Sequence, residues 1–293
     1  MKNLFLLGFA VAGLFGLASC DSENEPKAPA AEYITINPTI GQLSRVSTSD
    51  DGSQDFVKDD AISVYAWAGE KAEPIASELV VNNSINTYNG TTWTSNPMMM
   101  WLDDTAKHYF LGVYPTRSIT NFTADPYTLN TENQEASDLL VALNTTGLTA
   151  TTTPVNLAFN HVMSKLVINL SFRTSWGTTP TVTSVSANAK KTANLNYLTN
   201  GKTVVTASGD VTAIALPAVK ANTVYSSIMI PGSNLNSIDI VIDGTTFTYE
   251  GNVALNSGKF TTLDLVVGRD KVIMGNVTIN DWTEGSKFEG EAL

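Results

Sequence analysis

Beyond residue 32, apolar residues recur at every second position in short runs, and no long stretch places them at i, i+3, i+4 and i+7. That period of two belongs to a strand with one buried face; a packed helix would need the longer period. The runs are rich in Val, Ile, Thr and Tyr, for example Ala61–Trp67, Lys107–Tyr114, Lys165–Phe172, Thr223–Ile230, Ser237–Ile242 and Phe260–Val267. Asn, Gly, Asp and Pro separate them, as turns require. Asn89-Gly90 and Asp243-Gly244 each stand between two runs and predict hairpins. One short helix is predicted around Glu132–Leu140. The expectation is an all-β chain of antiparallel sandwiches.

At 293 residues the chain is too long for one sandwich of about 100 residues and suits two. The Thr-rich stretch Asn144–Pro154 lacks apolar periodicity, so the expected division is 33–150 and 151–293. Just beyond it the apolar pattern changes phase. Val155, Leu157, Phe159 and Met163 share one parity, whereas Leu166, Ile168 and Leu170 take the other. A one-residue shift inverts the buried side of a strand. The segment at Ser164-Lys165 is therefore a bulge or a passage to another sheet.

The amino terminus reads as a targeting segment. Lys2 is followed by an apolar run, Leu4–Leu17, of about 21 Å if helical, short of the ~30 Å hydrocarbon core. That length predicts a cleaved signal peptide over residues 1–19. Leu17-Ala18-Ser19-Cys20 resembles the lipobox of bacterial lipoproteins, in which cleavage between Ser19 and Cys20 precedes lipidation of the cysteine. Two or more acyl chains give stable anchoring in the outer membrane. Cys20 is the only cysteine, so no internal disulfide can form. Asp21, Glu23 and Glu25 follow at once and resemble the surface-export signal of Bacteroidetes lipoproteins; residues 20–32 form the tether. A formal net charge of -11 argues against nucleic-acid binding, which needs Lys and Arg on phosphates.

The segment Tyr33–Gly41 is the most informative. Ile34, Ile36, Pro38 and Ile40 share one face, and Thr35, Asn37 and Thr39 share the other. A proline has no amide to give a ladder, which restricts it to an edge or a bulge. An edge strand with an apolar inner face is expected. Arg45, the only basic residue between Lys27 and Lys58, follows in a polar loop where proteolysis is easiest. Cleavage between Arg45 and Val46 would detach everything upstream.

No constellation for catalysis is visible, and neither an enzyme, a cofactor nor a metal is expected. His108 and His161 are far apart, and His161 shares parity with Phe159 and Met163, as a structural histidine does. Asp50, Asp51, Asp55, Asp59 and Asp60 lack the spacing of an EF-hand and read as a solvated loop. Trp67, Trp93, Trp101, Trp176 and Trp282 read as packing aromatics, with a sugar-stacking platform as the other use. Met98-Met99-Met100-Trp101 reads as buried packing rather than as a sticky patch. Asp104-Thr105-Ala106 resembles the O-glycosylation acceptor pattern of Bacteroidetes.

In order and spacing, a set of segments resembles the Bacteroidetes fimbrillins, the Fim/Mfa-like lipoprotein subunits of type V pili. They are Phe56–Tyr65, Trp101, Tyr109–Pro115, Asp138–Ala142, Leu157–Leu166, Ile230-Pro231-Gly232, Ile242-Asp243-Gly244 and Ile279-Asn280-Asp281-Trp282. The resemblance implies two tandem transthyretin-like antiparallel β-sandwich domains. It also implies removal of the first strand by an arginine-specific protease, here residues 33–45, and refilling of the groove by a strand of another subunit. The partners it implies are other fimbrial subunits, outer-membrane lipid through Cys20, and a host or glycan ligand; the location is the cell surface and the fimbria. The tail after Trp282 is a poor donor, since only Phe288, Ala292 and Leu293 are apolar; Val272–Trp282 is better patterned. The alternative is a monomeric, surface-exposed glycan-binding lipoprotein.

Overall fold

The alternation in the sequence becomes three sheets in the structure, a computed structural model that describes residues 32–40, 55–69, 78–199 and 201–281. Ser19, Cys20, Arg45, Val46, Asp50, Asp51 and Trp282 lie outside the described residues, as do the targeting segment and the carboxy-terminal tail. The described residues form one compact unit. The first eight strands are β1 (Ile36–Ile40), β2 (Ala61–Ala68), β3 (Leu79–Tyr88), β4 (Trp93–Asn96), β5 (His108–Tyr114), β6 (Asp125–Thr128), β7 (Leu140–Leu148) and β8 (Val155–His161). The remainder are β9 (Ser164–Phe172), β10 (Val182–Thr199), β11 (Lys202–Ala215), β12 (Ala218–Lys220), β13 (Val224–Met229), β14 (Asn234–Ile242), β15 (Thr245–Ala254), β16 (Lys259–Val267) and β17 (Val272–Asp281). A single helical turn, α1 (Gln134–Ser137), occupies the place of the predicted short helix.

The first sheet runs β1-β8-β7-β5-β2-β3-β4, the second β11-β10-β14-β15, and the third β12-β13-β9-β16-β17. Two pairs are parallel, β1 with β8 and β9 with β16. β2 and β5 lie in the middle of the first sheet and are buried on both faces, which accounts for their continuous apolar runs. Ile62, Val64, Ala66 and Phe110 enter one core together with Ile34, Ile36, Val155, Leu157 and Phe159. Tyr65, Trp67, Tyr109, Leu111 and Val113 project the other way. They join a larger core with Leu166, Ile168 and Leu170 of β9, Ile238 and Ile240 of β14, and Leu263 and Leu265 of β16.

Both predicted hairpins form. Ile242 pairs with Thr245 across Asp243-Gly244, whose φ values of 50° and 76° fit the tight two-residue turn that a right-handed strand twist favours. At the other, Tyr88 pairs with Trp93, and Asn89 Oδ1 accepts from the amides of Thr91 and Thr92, both at 2.9 Å. The change of phase near Ser164 is a passage between sheets. β8 buries Val155, Leu157, Phe159 and His161 in the first sheet, and β9 buries Ser164, Leu166, Ile168 and Leu170 in the third. The expected division at 150–151 thus falls between β7 and β8, two strands of one sheet, and the chain leaves that sheet only after His161.

Candidate functional site at the edge strand

β1 occupies the end of the first sheet, with Ile36 opposite Val155, Pro38 opposite Leu157 and Ile40 opposite Phe159. Which way its amides point follows from two bonds. The Val155 amide donates to Thr35 O at 2.8 Å, so Thr35, and with it Asn37 and Thr39, turn their backbone groups toward β8. The Ile34 amide donates to Met99 O at 3.0 Å on the other flank, and the Trp101 amide donates to Glu32 O at 3.2 Å. Ile36, Pro38 and Ile40 therefore direct their backbone toward that second flank. Past the single bridge of Tyr33 to Met100, no strand among the described residues pairs with it. The amide that Pro38 lacks would have faced this open flank, so the proline costs the ladder nothing.

The inner face of the strand is apolar as expected. Ile34 is 3% and Ile36 8% exposed, Pro38 is buried and Ile40 half-buried, while Thr35, Asn37 and Thr39 are exposed. Ile34 and Ile36 share one core with Met99, Trp101, Leu157 and Phe159, and Ile40 packs against it. Phe56 packs edge-on to Phe159 at 5.4 Å, to Tyr114 at 5.8 Å and to Trp93 at 5.0 Å, making an aromatic floor. On the exposed face Asn37 Nδ2 donates to Asn156 Oδ1 at 3.0 Å.

The run Met98–Trp101 differs from its expected burial. Met99 and Trp101 are buried, but Met98 is 66%, Met100 46% and Leu102 62% exposed. The physical reason is the strand-like alternation that pairing with Glu32–Ile34 imposes: every second side chain must face out. Sequence reading missed this pairing. Residues 98–102 are all apolar, so the sequence carried no alternation that could have signalled it.

The other singled-out residues lie elsewhere in the fold. His108 is fully buried; its Nε2 accepts from the Leu102 amide and its Nδ1 donates to Ala106 O, each at 3.0 Å, which fixes the neutral tautomer and the loop between them. His161 Nδ1 lies 2.8 Å from Asp138 Oδ1, both buried. Asp60 receives the Val57 amide at 2.6 Å and the Tyr114 hydroxyl at 3.3 Å. Among the described residues no group of His, Cys, Asp or Glu is arranged to hold a metal. Thr105 is exposed, and its hydroxyl and amide donate to Asp103 Oδ1 at 2.9 and 2.7 Å. Those bonds, with one from the Ala106 amide, hold the Asp103 carboxyl below its ordinary range. Trp67 and Trp101 are buried and Trp93 and Trp176 half-buried, in keeping with packing roles.

A profile of fimbrillin-like proteins matches residues 44–282. The chain belongs to the fimbrillin-like family. No curated protein matches it. Among solved structures, a candidate cell adhesion protein of Bacteroides uniformis shares 19% identity over 86% of this chain and 98% of its own, with a TM-score of 0.65. Another, from Bacteroides ovatus, shares 17% identity over 88% of this chain and 100% of its own, with a TM-score of 0.64. At such identities these two establish a common fold for this fimbrillin-like chain over nearly its full length.

Proposed function

We propose that this fimbrillin-like protein is a structural subunit or associated adhesin of a surface fimbria, assembled by replacement of its first strand. The observation that carries the reading is the position of β1: a terminal strand that, among the described residues, pairs along Ile36–Ile40 with β8 alone, with the side chains of Ile34, Ile36, Pro38 and Ile40 on its apolar face. A strand in mid-sheet could not leave without unfolding its host, whereas a terminal one can. Its departure would uncover the β8 edge and a slot lined by Met99, Trp101, Leu157 and Phe159, a template for a strand from another subunit. Burying three or four such side chains contributes about 5–10 kcal/mol, enough for a lasting joint.

In this proposal Cys20 carries the lipid after cleavage between Ser19 and Cys20. Residues 20–32 tether the precursor to the outer membrane, and a cut between Arg45 and Val46 releases β1. The mature body then starts at Val46 and keeps the rest of the 33–150 half together with the 151–293 half. The cell-adhesion description of the two solved relatives accords with a surface role.

The test is limited digestion of the full chain with an arginine-specific protease. The expected product starts at Val46, and on incubation gives a ladder of polymers stable in mild detergent. Arg45→Ala should fold normally and stay monomeric. Polymerisation of that variant at the ordinary rate would remove Arg45 from the mechanism.

A further inference from the structure

Two turns far along the chain from β1 meet at one corner of the third sheet. The first, Arg173–Gly177, follows β9; the second, Gly268–Lys271, joins β16 to β17. Val267 O ties them together, accepting the Arg173 amide at 3.0 Å and the Trp176 indole N–H at 3.1 Å, and the Gly268 amide closes the second turn on Lys271 O at 2.8 Å. Arg173 Cδ lies 3.3 Å from where a Cβ on Gly268 would stand, so a side chain there would crowd the arginine.

The corner collects positive charge in a protein whose formal net charge is -11. Arg173, Arg269 and Lys271 are all exposed, and two of the chain's four arginines are among them. None of the three forms an ion pair among the described residues. Asp270 is the one carboxylate that the two turns carry.

One of these cations is held in place. The Arg269 guanidinium carbon stands 5.1 Å from the centre of the Trp176 ring, and Arg269 Nε donates to Ser175 O at 3.0 Å. Trp176 is rooted by edge-on contacts with Phe172 at 6.3 Å and Phe247 at 5.7 Å. Stacking and the Nε bond fix the plane of the guanidinium and leave its two terminal nitrogens for an outside acceptor. A fork already oriented loses little freedom on binding and matches a carboxylate or sulfate with two parallel hydrogen bonds.

We infer that this corner is a binding site for an acidic saccharide, one bearing carboxylate or sulfate groups. A protein partner fits it poorly. Protein interfaces are anchored by buried apolar side chains, and the only large apolar residue of these turns, Trp176, is engaged beneath Arg269. What surrounds the cations instead is the exposed pair Thr174 and Ser175, whose hydroxyls suit sugar hydroxyls. The inference deepens the adhesin side of the proposed function, yet needs neither cleavage at Arg45 nor strand replacement. It is therefore measured on the intact, unassembled chain, where failure of either leaves the other standing.

The experiment titrates the intact chain with chondroitin sulfate, polygalacturonate, neutral dextran and polyglutamate, with thermal melting as the check on folding. Binding to chondroitin sulfate alone supports the site with sulfate as the recognised group, and binding to both acidic polysaccharides supports it with carboxylate. Arg269→Gln and Arg173→Gln should each weaken binding about tenfold or more, the loss expected for a charged hydrogen bond. Arg269→Lys keeps the charge without the planar fork and should fall between, while Lys202→Gln on β11 should leave affinity unchanged. Absence of binding to both acidic polysaccharides, indifference to the two Gln substitutions, or binding to polyglutamate alone would overturn it.

Discussion

Gly112 and Phe159 are a single steric unit. A Cβ on Gly112 would stand 2.6 Å from Phe159 Cζ, and the ring it would strike is fully buried against Phe56. Glycine is needed here for close approach, not for an unusual backbone angle, since the ring lies where a side chain of β5 would be. Gly112→Ala should therefore destabilise by about 1–3 kcal/mol, the range for overpacking a filled core, read as a lower urea midpoint. Replacing the ring should relieve the clash: Gly112→Ala with Phe159→Leu should be less harmful than the sum of the two single changes. Strict additivity would mean that the ring and the glycine are independent. A second local constraint sits at Gly244, with φ 76° between β14 and β15. Gly244→Ala should cost about 1 kcal/mol, because an L side chain is strained there.

At the scale of one element, β1 shows what the sequence could and could not reveal. Its inner face and edge position were legible because both are local. Alternation sorts Ile34, Ile36 and Pro38 from Thr35 and Asn37, and a proline excludes a central strand. Its partner was not legible. Asn37 meets Asn156 across 119 residues of sequence, and nothing in a period of two names the neighbour or says that the pairing is parallel. The same holds for Glu32–Ile34 against Met99–Trp101, a pairing that turned an expected buried run into an alternating one. Hairpins behave oppositely, since Asp243-Gly244 carries its own partner two residues away. Two amides report on β1 directly: Val155 donates to Thr35 O, and Trp101 donates to Glu32 O. Ile34→Ala should lower the stability of the docked strand by about 2–5 kcal/mol. Hydrogen exchange at Val155 and Trp101 should accelerate together, while amides between β14 and β15 keep their protection. Acceleration everywhere alike would show that β1 leaves only when the whole unit unfolds, and would count against strand replacement.

Across the whole molecule, the halves of the chain are stitched rather than merely adjacent in sequence. β6 comes from between two strands of the first sheet but pairs with β10 of the second, Asp125 opposite Leu195 and Thr128 opposite Thr192. Separately, β8 takes its place between β1 and β7, so a boundary drawn from composition at 150–151 does not coincide with any change of sheet. Arg117 fastens the stitch. Its amide donates to Ser63 Oγ at 2.8 Å and its carbonyl accepts from the Tyr65 hydroxyl at 2.6 Å, both on β2. Its guanidinium reaches Asp125 Oδ2 at 2.5 Å and also the Pro126 carbonyl, while the Tyr197 hydroxyl donates to the same carboxylate oxygen at 2.7 Å. Asp125→Ala would strand a half-buried cation and a buried hydroxyl together, so a loss on the order of 3 kcal/mol is expected in chemical unfolding.

The phenols beside this stitch make its stability depend on alkaline pH. Burial pushes Tyr197 well above the ordinary phenol range, and its bond to Asp125 adds to the shift; burial does the same for Tyr127, with the Asp138 charge adding to it. In the unfolded chain both ionise near pH 10, while the folded chain keeps them protonated beyond that. Below about pH 10 both states hold the same protons and stability does not vary through these groups. Above it the unfolded state holds fewer, so unfolding gains about 1.4 kcal/mol per pH unit for each phenol until the folded chain also ionises. Melting temperature followed from pH 9 to pH 12 should fall steeply above pH 10. Tyr197→Phe should be less stable at neutral pH, having lost the bond to Asp125, yet show a shallower alkaline decline, because one of the titrating phenols is gone. An unchanged slope in Tyr197→Phe would show that Tyr197 has no part in the alkaline sensitivity.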